Sequence, residues 1–183
     1  MPALGGGFMS ASIVAIVGNP RAESRTHRLA RTLSQVLQEA LPGSTGSEVD
    51  LAPIGPRVLE TADPEASMAV DRVLAADVLV IASPTYKGTY SGLLKAFLDR
   101  MGHGALEGKA AVPILLGGAP DHSLAIDVHF TPLLLELGAS VPARGLFVIE
   151  ADVEGFPSTA RAWVQKHGPS VLGAERAMMT PVG

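Results

Sequence analysis

The chain has 183 residues, 47% hydrophobic and only 4% aromatic, with 14 basic against 18 acidic side chains and a net charge of −4. That length suits one domain, and an acidic balance without any basic run lacks the electrostatic footprint of a nucleic-acid-binding protein. The absence of cysteine excludes disulfides, thiolate metal sites, cysteine nucleophiles and cysteine-held iron–sulfur clusters, so redox chemistry here has to come from a bound cofactor.

Met1 to Ser10 is glycine-rich and carries no basic n-region, and the apolar run behind it is too short and too β-branched for a signal-peptide core. No run approaches the ~20 apolar residues of a membrane span. The expectation is a cytoplasmic protein without a membrane partner, whose residues 1–11 form a disordered tail ahead of a single domain at 12–170. Short Val- and Ile-rich runs bounded by turn residues recur at Ser12–Val17, Gly46–Leu51, Asp77–Ala82, Ala110–Leu116 and Val141–Ile149, and read as buried strands. Helical periodicity falls between them at 24–41, 64–75, 91–101 and 122–138. This alternation predicts an α/β domain, a doubly wound five-stranded parallel sheet with helices on both faces. A short helix around Ser158–His167 follows, and the pattern weakens beyond it, so 171–183 is expected to be a flexible tail.

In such a sheet the ligand sits beyond the carboxyl ends of the strands, near the switch point in strand order. The loops at 18–25, 83–91 and 117–122 share that rim. The first runs from Gly18 through Pro20, Arg21 and Ser24 into a helix with apolar positions at Leu29, Leu33, Val36, Leu37 and Leu41. Free backbone N–H groups at a helix start, beside an arginine, suit a phosphate. Ser24 has a second reading, as the cap of its own helix. The loop from Ser83 to Gly92 holds both tyrosines of the chain, and backbone amides near Gly88 can approach a flat heteroaromatic ring. An ordinary surface loop is the alternative. His122 either orients a ligand beside Gly117-Gly118 or serves its helix start, and Lys87 either neutralises ligand charge or is a solvated loop lysine.

The pattern Gly18-x-Pro20-Arg21-x-x-Ser24-x-Thr26, together with Ser83-Pro84-Thr85-Tyr86-Lys87-Gly88-x-Tyr90-Ser91-Gly92-Leu93-Leu94-Lys95, resembles the NAD(P)H-dependent FMN reductases of the flavodoxin-like proteins. Within them it is most similar to the branch that supplies reduced flavin to sulfonate monooxygenases. The similarity continues through Lys109 to Pro113, Gly117-Gly118 and His122 to Asp127 as far as Pro132, and covers residues 12 to 153. The resemblance implies a flavodoxin-like fold, FMN and NADPH or NADH as cofactors, and a flavin phosphate held by Arg21, Ser24 and Thr26. It implies further that Pro84, Thr85, Tyr86, Lys87 and Gly88 flank the isoalloxazine, with Gly117 and Gly118 closing its other side. Asn19 stands where the family more often has serine, and keeps a donor and an acceptor at that place. Hydride transfer between two stacked rings needs no acid–base dyad, so no catalytic side chain and no metal ligand is assigned. The implied function is reduction of FMN and its delivery to a flavin-dependent monooxygenase. A reductase that keeps its flavin for quinones or azo compounds, and a flavodoxin-type electron carrier, are the alternatives; the Arg21 loop and the modest net charge argue against the carrier.

The stretch 124–137 carries Leu124, Ile126, Val128, Phe130, Leu133, Leu134, Leu135 and Leu137, more than the single stripe needed to cover a sheet. Such a helix either seeks a second partner or lies deep in the domain. Pro132 removes the hydrogen bond to Val128, which predicts a kink or bulge. The resembled family assembles through helices of this kind, which implies a homodimer or homotetramer, and in its closest branch an extra residue before this proline makes a π-type bulge.

Overall fold

The computed structural model describes residues 11–178; the tail expected at 1–11, except Ala11, and the last residues, 179–183, lie outside the described residues. Strands β1 (Ser12–Val17), β2 (Thr45–Asp50), β3 (Val78–Pro84), β4 (Ala110–Gly117) and β5 (Leu146–Ile149) form one sheet in the order β2-β1-β3-β4-β5. Every neighbouring pair is parallel. This is the flavodoxin-like doubly wound order, with its switch point between β1 and β3. Helices α1 (Arg25–Ala40), α2 (Pro64–Leu74), α3 (Gly92–Leu98), α4 (Thr131–Glu136) and α5 (Phe156–Met178) cover the sheet. One apolar layer joins Ile16, Leu79 and Leu115 to Phe97 and Phe130; the other joins Ile13, Val80 and Ile114 to Leu33 and Phe156. Coverage on both faces is why the central strands read as continuous apolar runs instead of alternating ones. Among the described residues no helix is long and apolar enough to cross a membrane.

The boundaries differ from the sequence pattern where tertiary contacts intervene. β3 runs two residues past its expected end and takes Ser83 and Pro84 into register with Leu115 and Leu116. Pro84 is tolerated because β1 has already ended opposite Ala82, so no ladder bond is asked of its missing N–H. β5 begins at Leu146, not Val141; Pro142 lacks the donor a strand would use there. The expected 122–138 helix is broken into a 3-10 turn at Pro120–His122, a π-turn at Ile126–Phe130 and α4. Pro132 then falls in the first turn of α4, where a helix needs no N–H. Ile126, Phe130 and Leu134 face the sheet, while Leu124, Val128 and Leu135 are exposed.

Both ends of the expected domain are corrected. Ala11 belongs to the folded unit, since it is buried and its carbonyl accepts from Thr45 N at 3.0 Å. The flexible tail expected from 171 is instead helical as far as Met178, because α5 continues through Gly168 and Pro169 and buries Val171 in the layer it shares with α1. An interior proline costs about 3 kcal/mol, and full burial of an aliphatic side chain offsets that by roughly 1.5–3 kcal/mol.

β1 and α3 approach each other closely at one point. A Cβ on Gly18 would lie 2.6 Å from Leu94 Cβ, so only glycine fits. Gly18→Ala is expected to lower stability by about 1–3 kcal/mol, the usual cost of overpacking. Urea unfolding should show a reduced midpoint at unchanged m-value.

Candidate functional site

Gly18 prolongs β1 by donating to Ala82 O at 2.8 Å. The chain then turns at Asn19, whose Oδ1 accepts from Arg21 N at 2.9 Å, an Asx turn. Asn19 Nδ2 donates to Thr26 Oγ1 at 3.1 Å. Ser24 caps α1 by accepting from His27 N at 3.2 Å, which leaves its hydroxyl proton free to donate; the two readings of this serine are compatible. Thr26 departs from expectation: it is fully buried and turned toward Asn19, so it braces the loop and does not face the rim. The Arg21 guanidinium is exposed and has no partner among the described residues. Its neighbours are occupied, since Arg25 pairs with Glu150 at 2.9 Å and Arg28 binds Glu154 in a fork at 2.9 and 3.0 Å. Arg28 holds the Glu154 carboxyl below its ordinary range, through hydrogen bonding first and charge second.

The second loop is fixed by two serines that the sequence reading left without a role. Ser83 Oγ accepts from Ser91 N at 2.8 Å and donates to Pro84 O at 2.9 Å. Ser91 Oγ donates to Gly18 O and accepts from Leu94 N at 3.1 Å, capping α3. Its position one residue before an apolar helix was the available signal. Between the serines, Tyr86 N donates to Thr89 O at 2.8 Å and Thr89 N to Tyr86 O at 3.2 Å, with Lys87 and Gly88 at φ 52° and 81°. That is a type I′ turn. Glycine enters it freely, whereas lysine in the left-handed region costs about 1–3 kcal/mol. Glu23 and Lys87 are the non-glycine residues with positive φ among those described, and each stands on one of the two loops. Thr85 N donates to Leu116 O at 2.7 Å, while its Oγ1 is buried with no partner among the described residues. Tyr90 packs on Phe130 with ring centroids 5.3 Å apart, which leaves Tyr86 as the exposed aromatic of the loop.

The third loop divides its two glycines. Gly117 is buried, and a Cβ there would meet the Phe147 ring at 2.5 Å, so its missing side chain accommodates Phe147. Gly118 is exposed and faces open space. A Cβ on Gly88 would lie 3.7 Å from His122 Cδ2, which brings the turn after β4 against the turn after β3. Among the described residues no group of three or more His, Asp or Glu side chains could hold a metal ion.

Residues 11–154 match the family model described as NADPH-dependent FMN reductase. The chain belongs to that family. NADH-dependent FMN reductase SfnF of Pseudomonas putida is 32% identical over 149 residues, spanning 79% of this chain and 78% of that protein. FMN reductase (NADPH) of Escherichia coli strain K12 is 32% identical over 149 residues, spanning 77% and 74%. Among solved structures, the apo form of the NADH:FMN oxidoreductase EMOB is similar with a TM-score of 0.75 at 32% identity, covering 94% of this chain and 92% of that one. A flavodoxin, WrbA-like protein from Agrobacterium tumefaciens shares the fold alone, at 16% identity and a TM-score of 0.63. The rim of this FMN reductase family member fits a flavin nucleotide on its own chemistry: an unpaired arginine at a helix start, an orphaned buried hydroxyl at Thr85 and an open glycine opposite.

Behind the first loop, His27 lies between Glu48 at 3.2 Å and Asp50 at 3.8 Å, and Arg31 reaches the same Glu48 at 3.2 Å. Burial raises the Glu48 carboxyl, but hydrogen bonds and charge from His27 and Arg31 together hold it below its ordinary value. A depressed carboxyl stabilises the fold fully above its unfolded value, and that contribution is lost as pH falls through the lower folded-state value. Glu48→Gln is expected to flatten this acid limb, read from melting temperatures of both proteins between neutral and acidic pH.

Proposed function

We propose that this protein transfers hydride from NADPH or NADH to FMN in the cytoplasm and releases the reduced flavin to a separate flavin-dependent monooxygenase. The observation that carries the reading is the Arg21 loop. Three arginines stand near the start of α1, and only Arg21 is left without an acidic partner among the described residues. Arg21, the Ser24 hydroxyl and the first N–H groups of α1 would hold the flavin phosphate. Asn19 and Thr26 would keep that loop in shape. The backbone N–H groups of Lys87 and Gly88 and the Thr85 hydroxyl make no bond among the described residues. They would hold the polar edge of the flat ring, with Pro84 and Tyr86 beside it and Gly118 opposite. FMN when bound accepts hydride at N5 from nicotinamide C4 and so carries the redox chemistry itself. The chain's part is to hold the ring while leaving one face open to the second nucleotide.

Release is supported by what the rim lacks: one free arginine and one exposed aromatic, Tyr86, give a site that holds flavin moderately, and product departure limits many enzymes. Relatives named NADH-dependent FMN reductase SfnF and SfnE, and others named FMN reductase (NADPH), support the reaction. Purified protein is expected to be largely colourless and to oxidise NAD(P)H at a rate rising hyperbolically with added FMN. Arg21→Ala should weaken FMN by about 1.5–3 kcal/mol, the value of a hydrogen bond to a charged group, and leave riboflavin unaffected. Protein that stays yellow through dialysis and needs no added FMN would overturn release.

The same reading includes a homodimer or homotetramer built on the stripe of Leu124, Val128 and Leu135, which are 62%, 57% and 55% exposed. Their apolar area in water favours association. Val128→Asp or Leu135→Asp is expected to yield a smaller folded species by light scattering. Phe130 and Leu134 are fully buried, so aspartate at either would cost folding instead.

A further inference from the structure

With its nicotinamide against the flavin ring, a dinucleotide must place its adenosine end elsewhere, and the following inference rests on the FMN reductase reading. A cavity of about 420 Å³ opens just beyond the β4 loop, within the roughly 300–1,000 Å³ of small-ligand sites. Pro120 and Ser123 of the rim turn form its near wall, Ile126 of the π-turn and Phe147 of β5 its apolar sides, and Arg144 and Asp152 its polar groups. β5 is an edge strand, so one row of its peptide N–H and C=O groups is unpaired. Arg144 precedes the strand and Asp152 follows it, with roughly 10 Å of strand between. A larger cavity of about 600 Å³, beside Arg100 and Val58, touches none of the rim loops.

We propose that this cavity binds the adenosine end of the nicotinamide dinucleotide, with Arg144 receiving one of its phosphates. Adenine has a flat apolar surface for the half-buried Phe147 and polar edges for the open side of β5; the ribose hydroxyls match the Asp152 carboxylate. Arg144 is held meanwhile by Asp127, with Nη2–Oδ2 at 2.7 Å and Nε–Oδ2 at 3.0 Å. The pair is exposed at 65% and 38% of its side chains, so it is weak and a phosphate can displace the carboxylate. Asp127 therefore competes with the ligand for the same guanidinium, and acts as a specificity-tuning residue from outside the cavity.

The test uses full-length protein with saturating FMN. Arg144→Ala is expected to raise the KM for the dinucleotide about tenfold, equivalent to roughly 1.4 kcal/mol, with kcat and the KM for FMN unchanged. Asp127→Asn is expected to lower the same KM, since it frees the arginine; a merely structural ion pair would shift both variants in one direction. Without any turnover, calorimetry should show 2′,5′-ADP and 5′-AMP binding to wild type and weakening in Arg144→Ala. Preference for 2′,5′-ADP assigns Arg144 to a 2′-phosphate, and equal binding assigns it to the 5′-phosphate chain. The proposal is overturned if Arg144→Ala leaves the dinucleotide KM unchanged, if both variants move it the same way, or if neither nucleotide binds. Wild-type protein that oxidises no NAD(P)H with added FMN would instead count against the reductase reading, a separate outcome.

Discussion

The Ser91 hydroxyl, donating to Gly18 O and accepting from Leu94 N, is the contact that makes a site out of two loops. It works because Gly18 has no side chain to keep α3 away. With β1 and α3 locked at that distance, the Arg21 loop and the 85–90 turn spring from neighbouring rigid strands, and their spacing is set by the sheet. Ser83 repeats the device one strand over, fixing where the turn starts and where it returns. The left-handed backbone at Lys87 and Glu23 falls on these two loops.

Charge is handled with the same economy. Glu150 and Glu154, on the connection between β5 and α5, neutralise Arg25 and Arg28, so that, among the described residues, Arg21 is the guanidinium left without an acidic partner at the start of α1. Exposed ion pairs contribute little to stability; their effect here is on which arginine remains available to a ligand.

The segment between β4 and α4 carries a backbone distortion and an outward apolar stripe together. The π-turn precedes Pro132 in the first turn of α4, and the residues of this segment diverge: Ile126 and Phe130 point inward while Leu124 and Val128 point outward. Phe130 supports Tyr90, so the outer stripe and the 85–90 turn share one backbone distortion.

The sequence by itself determined the five strands, their alternation with helices, the rim loops and the family, because burial on a strand, helix capping and turn chemistry are short-range properties written in neighbouring residues. Ser12–Val17 was legible to the residue, and the Ser24 cap and the Tyr86 to Thr89 turn lie within the stretches singled out. Only the tertiary structure decided which of those residues turn inward and which remain at the surface. Thr26 turned inward because Asn19 needed its oxygen, and Gly117 gave its space to Phe147. Pro169 failed to end α5 because α1 lies opposite and buries Val171. Arg28 and Glu154 are 126 positions apart and Ser91 and Gly18 are 73 apart. Partners at such separations meet only once the sheet has formed, and no local pattern encodes them.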